Sequence, residues 1–319
     1  MGIITKKEST TNKEYGCDPE SRKTETLLNY GIINLNKPGG PTSHQISDYV
    51  KKILGLDKAG HGGTLDPKVT GVLPIALSRA TRIVHFLLKS GKEYVCLMYL
   101  HSGAEKEKVI TAFSKFSGVI EQMPPVKSAV KRVKRKRHIY SLDILEIESQ
   151  NVLFRVSCQA GTYIRKLVHE IGQEIGCGAH MVQLIRTRAG PFKLENSMTL
   201  YDILDAFYLY KKGDESLLRK CILPIEQAVL GIKKIWVHDS AVETICHGAN
   251  LNIPGISKFD SDFKEGDLVA IMTLKGELIA VGNAEIDSSE IIKKSNGLAV
   301  ISKKVFMEPG TYPKYTKTT

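Results

Sequence analysis

A chain of 319 residues, 42% of them hydrophobic, is long enough for two domains, the first with a sizeable core. With 45 Lys and Arg against 34 Asp and Glu, its formal net charge of +11 points to a polyanionic partner, either nucleic acid or an acidic membrane surface. No apolar run reaches bilayer-spanning length and no signal peptide is legible, so a membrane-spanning or exported protein is excluded and a cytoplasmic one expected.

Residues 1–26 are polar, rich in Lys, Thr and Glu, and read as a flexible or draped arm. Gly31-Ile-Ile-Asn-Leu-Asn36 predicts a short strand, closed by the turn Lys37-Pro-Gly-Gly-Pro41. Thr42 or Ser43 then caps a helix through Leu54, with Ile46, Tyr49, Val50 and Ile53 on one face. Lys92 to His101 and Val152 to Cys158 read as strands. Tyr163 to Ile175 places Ile164, Leu167, Val168, Ile171 and Ile175 at helical spacing. Strands and helices mix without a regular βαβ repeat, which favours an α+β fold over a doubly wound one. Past Gly231, the runs 234–238, 268–273, 278–281 and 298–301 alternate with turn residues, the pattern of a small β-barrel. From Ile232 onward 11 Lys balance 11 Asp and Glu, with no Arg, so residues 1–231 carry the whole net charge. The expected division is therefore an arm at 1–26, a large domain at 27–231 and a small β domain at 232–319. Six scattered cysteines form no Cys-x-x-Cys pair, which argues against a zinc ribbon or a disulfide framework.

The block Ala59-Gly-His-Gly-Gly-Thr-Leu-Asp-Pro-Lys-Val-Thr-Gly71 sets one carboxylate, Asp66, in a glycine-rich turn. Its glycines admit backbone conformations closed to other residues, and Pro67 stiffens the corner. Asp66 as a mere helix N-cap, with Pro67 at the first helical position, is the plain alternative. The whole block resembles, nearly residue for residue, the signature motif of the TruB/dyskerin family of pseudouridine synthases, whose aspartate is catalytic. Lys92-Glu-Tyr94 is similar to the family's second motif, in which the tyrosine stacks on the target base. Gly161-Thr-Tyr-Ile-Arg165 is similar to the motif whose arginine pairs with that aspartate, and Leu184 matches the apolar residue beneath the base. Lys37-Pro38 resembles the first motif, as a structural element or a phosphate contact. His61 matches a histidine that helps flip the nucleotide and is given a supporting role. The resemblance spans about residues 32–192. It implies a mixed, mainly antiparallel sheet domain, conversion of uridine to pseudouridine in RNA, and no metal or organic cofactor. Asp66 would act as nucleophile or as the base that initiates glycosidic cleavage. Attack at C1′, addition to C6 and a glycal route all stay open, and Tyr94 is a candidate to take the C5 proton late.

Seven of the twelve residues from Lys127 to His138 are Lys or Arg, a density suited to phosphate binding. The candidates are Lys127, Lys131, Arg132, Lys134, Arg135, Lys136 and Arg137. The region resembles the family's thumb loop, in a version nearer the archaeal and eukaryotic dyskerin-like subunits than the bacterial tRNA enzymes. Residues 241–256 and the segments around 265–269 and 280–282 resemble a PUA domain, with RNA contacts expected near Gly248, Ala249 and Pro254. The resemblance thus implies the catalytic subunit of an archaeal H/ACA RNA-guided synthase acting on rRNA or tRNA. Its partners would be a guide RNA, Nop10, Gar1 and an L7Ae-type protein. A stand-alone tRNA pseudouridine synthase is the second reading. A non-catalytic RNA scaffold is a third, opposed by intact Asp66, Tyr94 and Arg165.

Overall fold

A computed structural model describes residues 2–124 and 131–314, and the chain folds as two compact units. One comprises Ile33–Leu77 and Ile83–Cys221; the other gathers Met1–Ile32, Ser78–Arg82 and Ile222–Thr319.

The sheet of the first unit runs in the order Gly31–Lys37, Thr70–Leu77, Ala179–Ala189, Lys92–Leu100, Asn151–Cys158, Arg135–Glu148 and Gly118–Gln122. From Ala179–Ala189 outward every pairing is antiparallel. Thr70 and Gly71 instead pair in parallel with Ile185 and Arg186. Gly71 is required there: its φ is +104°, and a Cβ would lie 2.2 Å from the Arg186 carbonyl oxygen. The helices Lys106–Ser114 and Ile164–Ile175 cover one face. Ile164, Leu167, Val168, Ile171 and Ile175, the five residues at helical spacing, are all buried against Cys96, Met98, Phe154 and Val156 of the strands. Tyr163 is the N-cap and left-handed Gly176 ends the helix. Helix Ser43–Ile53 begins as expected, with Thr42 and Gln45 forming a reciprocal capping box. Its buried face departs from expectation. Ile46 and Val50 are buried with Ser43 and Ser47, whereas Tyr49 is exposed, because Ser43 has a backbone partner to reach. The segment after Asp66 is a strand, Thr70–Leu77, so Asp66 caps no helix.

In the second unit the strands follow the order Ile3–Thr5, Ile256–Asp260, Lys233–Val237, Leu268–Met272, Leu278–Ala284, Leu298–Val305 and Leu251–Asn252. Helix Asp239–Cys246 contributes Val242 and Ile245 to the core with Phe259, Phe263 and Ile271. The polar N-terminal stretch, expected as an arm, is tied in at several points. Ile3–Thr5 pairs with Lys258–Asp260, and the Lys6 Nζ donates to the carbonyls of Ile291 and Lys294 at 2.6 and 2.7 Å. The buried Arg22 guanidinium forks onto Glu226 at 2.7 and 2.8 Å. Among the described residues no helix is long and apolar enough to cross a membrane.

Candidate active site

Short strand Ala59–His61 pairs with Ile75–Leu77, and Gly62 donates its N–H to the Pro74 carbonyl at 2.8 Å. The chain then turns through Gly63 (φ +143°) to Asp66, where Val69 N–H closes a turn on the Asp66 carbonyl at 3.0 Å. Three buried side chains hold this turn by its backbone. Ser43 Oγ accepts from Leu65 N–H at 2.8 Å and donates to Leu65 O at 3.1 Å. Lys37 Nζ donates to the carbonyls of Pro38, Pro67 and Val69 at 2.8, 2.9 and 2.9 Å. The Arg186 guanidinium donates to Val72 O at 2.6 Å and Gly63 O at 3.0 Å. The turn is therefore fixed before any ligand arrives, as a reacting group requires.

On this corner the Asp66 carboxylate is 53% exposed and forms an ion pair with Arg165, 60% exposed, in the first turn of helix Ile164–Ile175. A pair this open contributes about 0–1 kcal/mol to stability. The helix start is anchored in turn by Gln122, which is buried and exchanges both amide hydrogen bonds with the Tyr163 backbone at 3.0 and 3.2 Å. Leu65 and Val69, which flank Asp66, share one core with Leu184, and Tyr94 packs against it. Tyr94 lies opposite Arg186 in the antiparallel register, and Leu184 lies opposite Cys96. Burial pushes the Tyr94 phenol up, and the neighbouring Arg186 guanidinium draws it back down. The structure thus brings Asp66, Tyr94, Arg165 and Leu184 onto one side of one unit: a carboxyl group paired with a guanidinium, an aromatic ring and an aliphatic side chain.

Residues 51–164 match the family model described as TruB family pseudouridylate synthase (N terminal domain), and residues 165–230 the tRNA pseudouridylate synthase B C-terminal domain. A Nanoarchaeum equitans protein named Probable tRNA pseudouridine synthase B is 54% identical over 313 residues, covering 98% of this chain and 90% of that one. The chain belongs to the TruB family of pseudouridine synthases. Pyrococcus furiosus has a protein of the same name, 52% identical over 314 residues, covering 98% of this chain and 92% of that one. This TruB-family synthase also matches a DKCLD (NUC011) domain at residues 2–47 and a PUA domain at 233–306, which put it on the dyskerin-like branch. It is similar to a chain in the structure described as Crystal Structure of a Cbf5-Nop10-Gar1 Complex, with a TM-score of 0.94 and 52% identity over 98% of this chain and 96% of the other. A chain in Structure of H/ACA RNP bound to a substrate RNA containing 2'-deoxyuridine gives a TM-score of 0.92 and 50% identity, covering 98% and 96%. The mixed α+β fold and the enzyme class expected from the TruB/dyskerin motifs both hold.

Of the remaining sites expected in this pseudouridine synthase, Lys37 fits the structural of its two readings and not the phosphate contact. It is fully buried and spends its donors on three carbonyls, so it cannot meet a phosphate; its pKa is lowered by burial and then by Arg186. His61 is half-buried, and its Nδ1 has no hydrogen-bonding partner among the described residues. Burial, then Arg186 and His44, lower its pKa, which favours the neutral ring. Lys127 lies outside the described residues. Lys131, Arg132 and Lys134 are exposed in irregular chain, while Arg135, Lys136 and Arg137 begin the strand Arg135–Glu148, paired with Gly118–Gln122. Arg137 Nε donates to Gly161 O at 3.1 Å, on the turn leading to Arg165. Gly248, Ala249 and Pro254 are exposed and belong to the other unit, where left-handed Gly248 follows helix Asp239–Cys246. Sequence reasoning missed Ser43, Gln122 and Arg186. For Arg186 a signal existed, a long cation inside an apolar strand.

Proposed function

We propose that this chain is the catalytic subunit of an H/ACA RNA-guided pseudouridine synthase, converting uridine to pseudouridine in rRNA and in tRNA. Carrying this reading is the end-to-end likeness, N-terminal and PUA regions included, to chains solved in H/ACA assemblies. The partners would be a guide RNA, Nop10, Gar1 and an L7Ae-type protein. We assign catalysis to residues 27–231, RNA anchoring to 232–319, and bracing of the latter to residues 1–26.

The reaction breaks the N1–C1′ bond, forms a C5–C1′ bond and moves one proton from C5 to N1, so it is a net isomerisation. It cannot occur within a stacked helix, and the nucleotide must be extruded into a pocket. Tyr94 and Leu184 offer an aromatic and an aliphatic surface for the two faces of the uracil. Asp66, paired with Arg165, starts the reaction as nucleophile or base. The exposed cations from Lys131 to Lys136 meet phosphates.

The names of the curated relatives favour a second reading, a synthase that modifies tRNA unaided. One experiment separates the two: pseudouridine formation on a defined RNA by the purified chain alone, then with a matched guide and partner proteins. Product in the complete mixture only supports guided action; efficient modification of tRNA by the chain alone overturns it. Asp66→Asn should abolish product in either case while RNA binding persists.

A further inference from the structure

The basic run enters the sheet at strand Arg135–Glu148, where successive side chains alternate between the two faces. Ile139 is buried in the core that Ile164 and Leu167 of the Ile164–Ile175 helix also enter. So is Ile120, which lies opposite Arg137 in the antiparallel register. Arg137 therefore shares the face of the sheet that this helix covers, and Lys136 and His138 take the other. Exposure singles it out as well: from Lys131 to His138 every residue is exposed except Arg137, which is half-buried.

An arginine that reads phosphate turns its fork to solvent. Arg137 has committed two of its three nitrogens to carbonyls, Nε to Gly161 O at 3.1 Å and Nη1 to Lys136 O at 2.9 Å. Its guanidinium lies close against Gly161, whose φ is +81°: a Cβ there would stand 3.1 Å from Nη2 and 3.3 Å from Nε. Next to it His138 exchanges hydrogen bonds with Gln159, at 2.8 Å to the N–H and 3.2 Å to Oε1. From the neighbouring strand, Gln122 holds the Tyr163 backbone at both its N–H and its carbonyl. Residues 159–163 are thus gripped from two strands, and Tyr163 is the N-cap of the helix whose first turn carries Arg165.

We propose that Arg137 is a positioning residue for the reaction and not a phosphate contact: it holds the 159–163 turn so that Arg165 meets the Asp66 carboxylate, with Gln122 holding the same turn from the other side. This rests on the reading of Asp66 given above and adds how its partner is held. Arg137 itself touches neither the uridine nor the RNA backbone. Two adjacent cations of one run therefore have different tasks. Lys136, on the outer face, meets RNA, and Arg137 serves the pair of Arg165 with Asp66.

The test compares Arg137→Met with Lys136→Met in the full chain, under whichever RNA and partner conditions give product. Arg137→Met should lower kcat roughly 10- to 100-fold, the scale of a misplaced reacting group, with KM for RNA within about twofold. Its log–log salt slope of RNA binding should match the parent's. Lys136→Met should instead raise KM and flatten that slope by about 0.7–0.9. In an Arg165→Lys background, Arg137→Met should add no more than about twofold, because the guanidinium it serves is gone. A slope flattened by Arg137→Met, an unchanged kcat, the same pattern in both variants, or effects that multiply across the cycle would each overturn the assignment. If Arg165→Lys leaves too little activity for the cycle, hydrogen exchange at the Lys166 and Leu167 amides decides, since both bond the Tyr163 carbonyl. Faster exchange in Arg137→Met supports the assignment, and parental protection overturns it. If Arg137→Met fails to fold, Arg137→Lys is read in its place by the same measures. Asp66→Asn is measured alongside. Full activity there would sink the catalytic reading itself, whereas an inactive Asp66→Asn beside an unchanged kcat in Arg137→Met sinks only the role of Arg137.

Discussion

Replacing Lys37 by Met leaves the shape of a buried side chain nearly intact and removes its charge and three donors. Of the three acceptors, Pro67 O still receives the Gly40 N–H at 2.9 Å. The carbonyls of Pro38 and Val69 have no other partner among the described residues. Leaving a buried acceptor unmet costs about 1–3 kcal/mol, so two such groups cost about 2–6 kcal/mol. Part of this is offset, since the variant no longer buries an ammonium. A net loss of about 2–4 kcal/mol in holding the Asp66 turn follows, or roughly 30- to 1,000-fold in its opening equilibrium. The only tryptophan, Trp236, lies in the other unit, so its fluorescence is a poor reporter. Hydrogen exchange at the Leu65 and Val69 amides is a direct one, because both are bonded within the turn. Exchange there should accelerate by that factor, while the salt dependence of RNA binding stays unchanged. The reasoning fails if amide protection is unaltered and the log–log salt slope falls by about 0.7–0.9, the signature of one lost phosphate contact.

Three further outcomes follow from the same geometry. Burial holds the Cys96 thiol at about 12 and the Cys158 thiol at about 11, against 9.0 for a free thiol, so the folded state retains protons that the unfolded chain releases. Their contribution is complete below pH 9 and is lost as pH rises towards 11–12, at roughly 1.4 kcal/mol per thiol per pH unit. Lys92, lowered to about 8, opposes this above pH 8, so urea unfolding should show a fall between pH 9.5 and 10.5 that Cys96→Ala makes shallower. Gly71→Ala should cost about 3 kcal/mol or more in thermal or urea unfolding, because its Cβ meets the Arg186 backbone and its φ is left-handed. Near-parental stability would show that the neighbouring strands part easily. Neutralising Lys131, Arg132, Lys134, Arg135 and Lys136 together should weaken RNA binding and flatten its salt slope by about 0.7–0.9 per lost contact, leaving the chosen uridine unchanged. An unaltered slope would remove this run from the RNA interface.

How far the sequence discloses this arrangement depends on where each partner lies. The 164–175 helix and the Asp66 corner are written in local patterns, periodicity in one and a Gly-Gly-x-x-Asp-Pro turn in the other, and both were legible. Ser43, Gln122 and Arg186 act on backbone atoms of distant segments, and carbonyl and amide partners leave no trace in residue identity. Lys37 stayed open between a structural and a phosphate-contacting reading for the same reason, because the three carbonyls that converge on it leave no mark in residue identity. The N-terminal stretch is polar in composition, but Lys6 and Arg22 meet acceptors more than 200 positions away, which no local window can register. Tyr49 and Ser47 show the limit of reading a helix face by apolarity, since a serine with a carbonyl to bond is buried while the tyrosine is left outside.

The pairing of Ile3 with Asp260 carries a consequence for how the polypeptide is made. At ribosomal speeds of about 5–20 residues per second, the partner strand emerges roughly 13–50 s after the first one. Throughout that interval the leading segment, with Ile3 and the hydrogen-bonding edge of its strand, has no sheet to join. The intervening unit can fold meanwhile on contacts of its own, so the last sheet to close is the one that joins Ile3–Thr5 to Ile256–Asp260. Truncations or pauses that withhold the Ile256–Asp260 strand should therefore be felt first at the Ile3–Thr5 strand, as protease sensitivity around it.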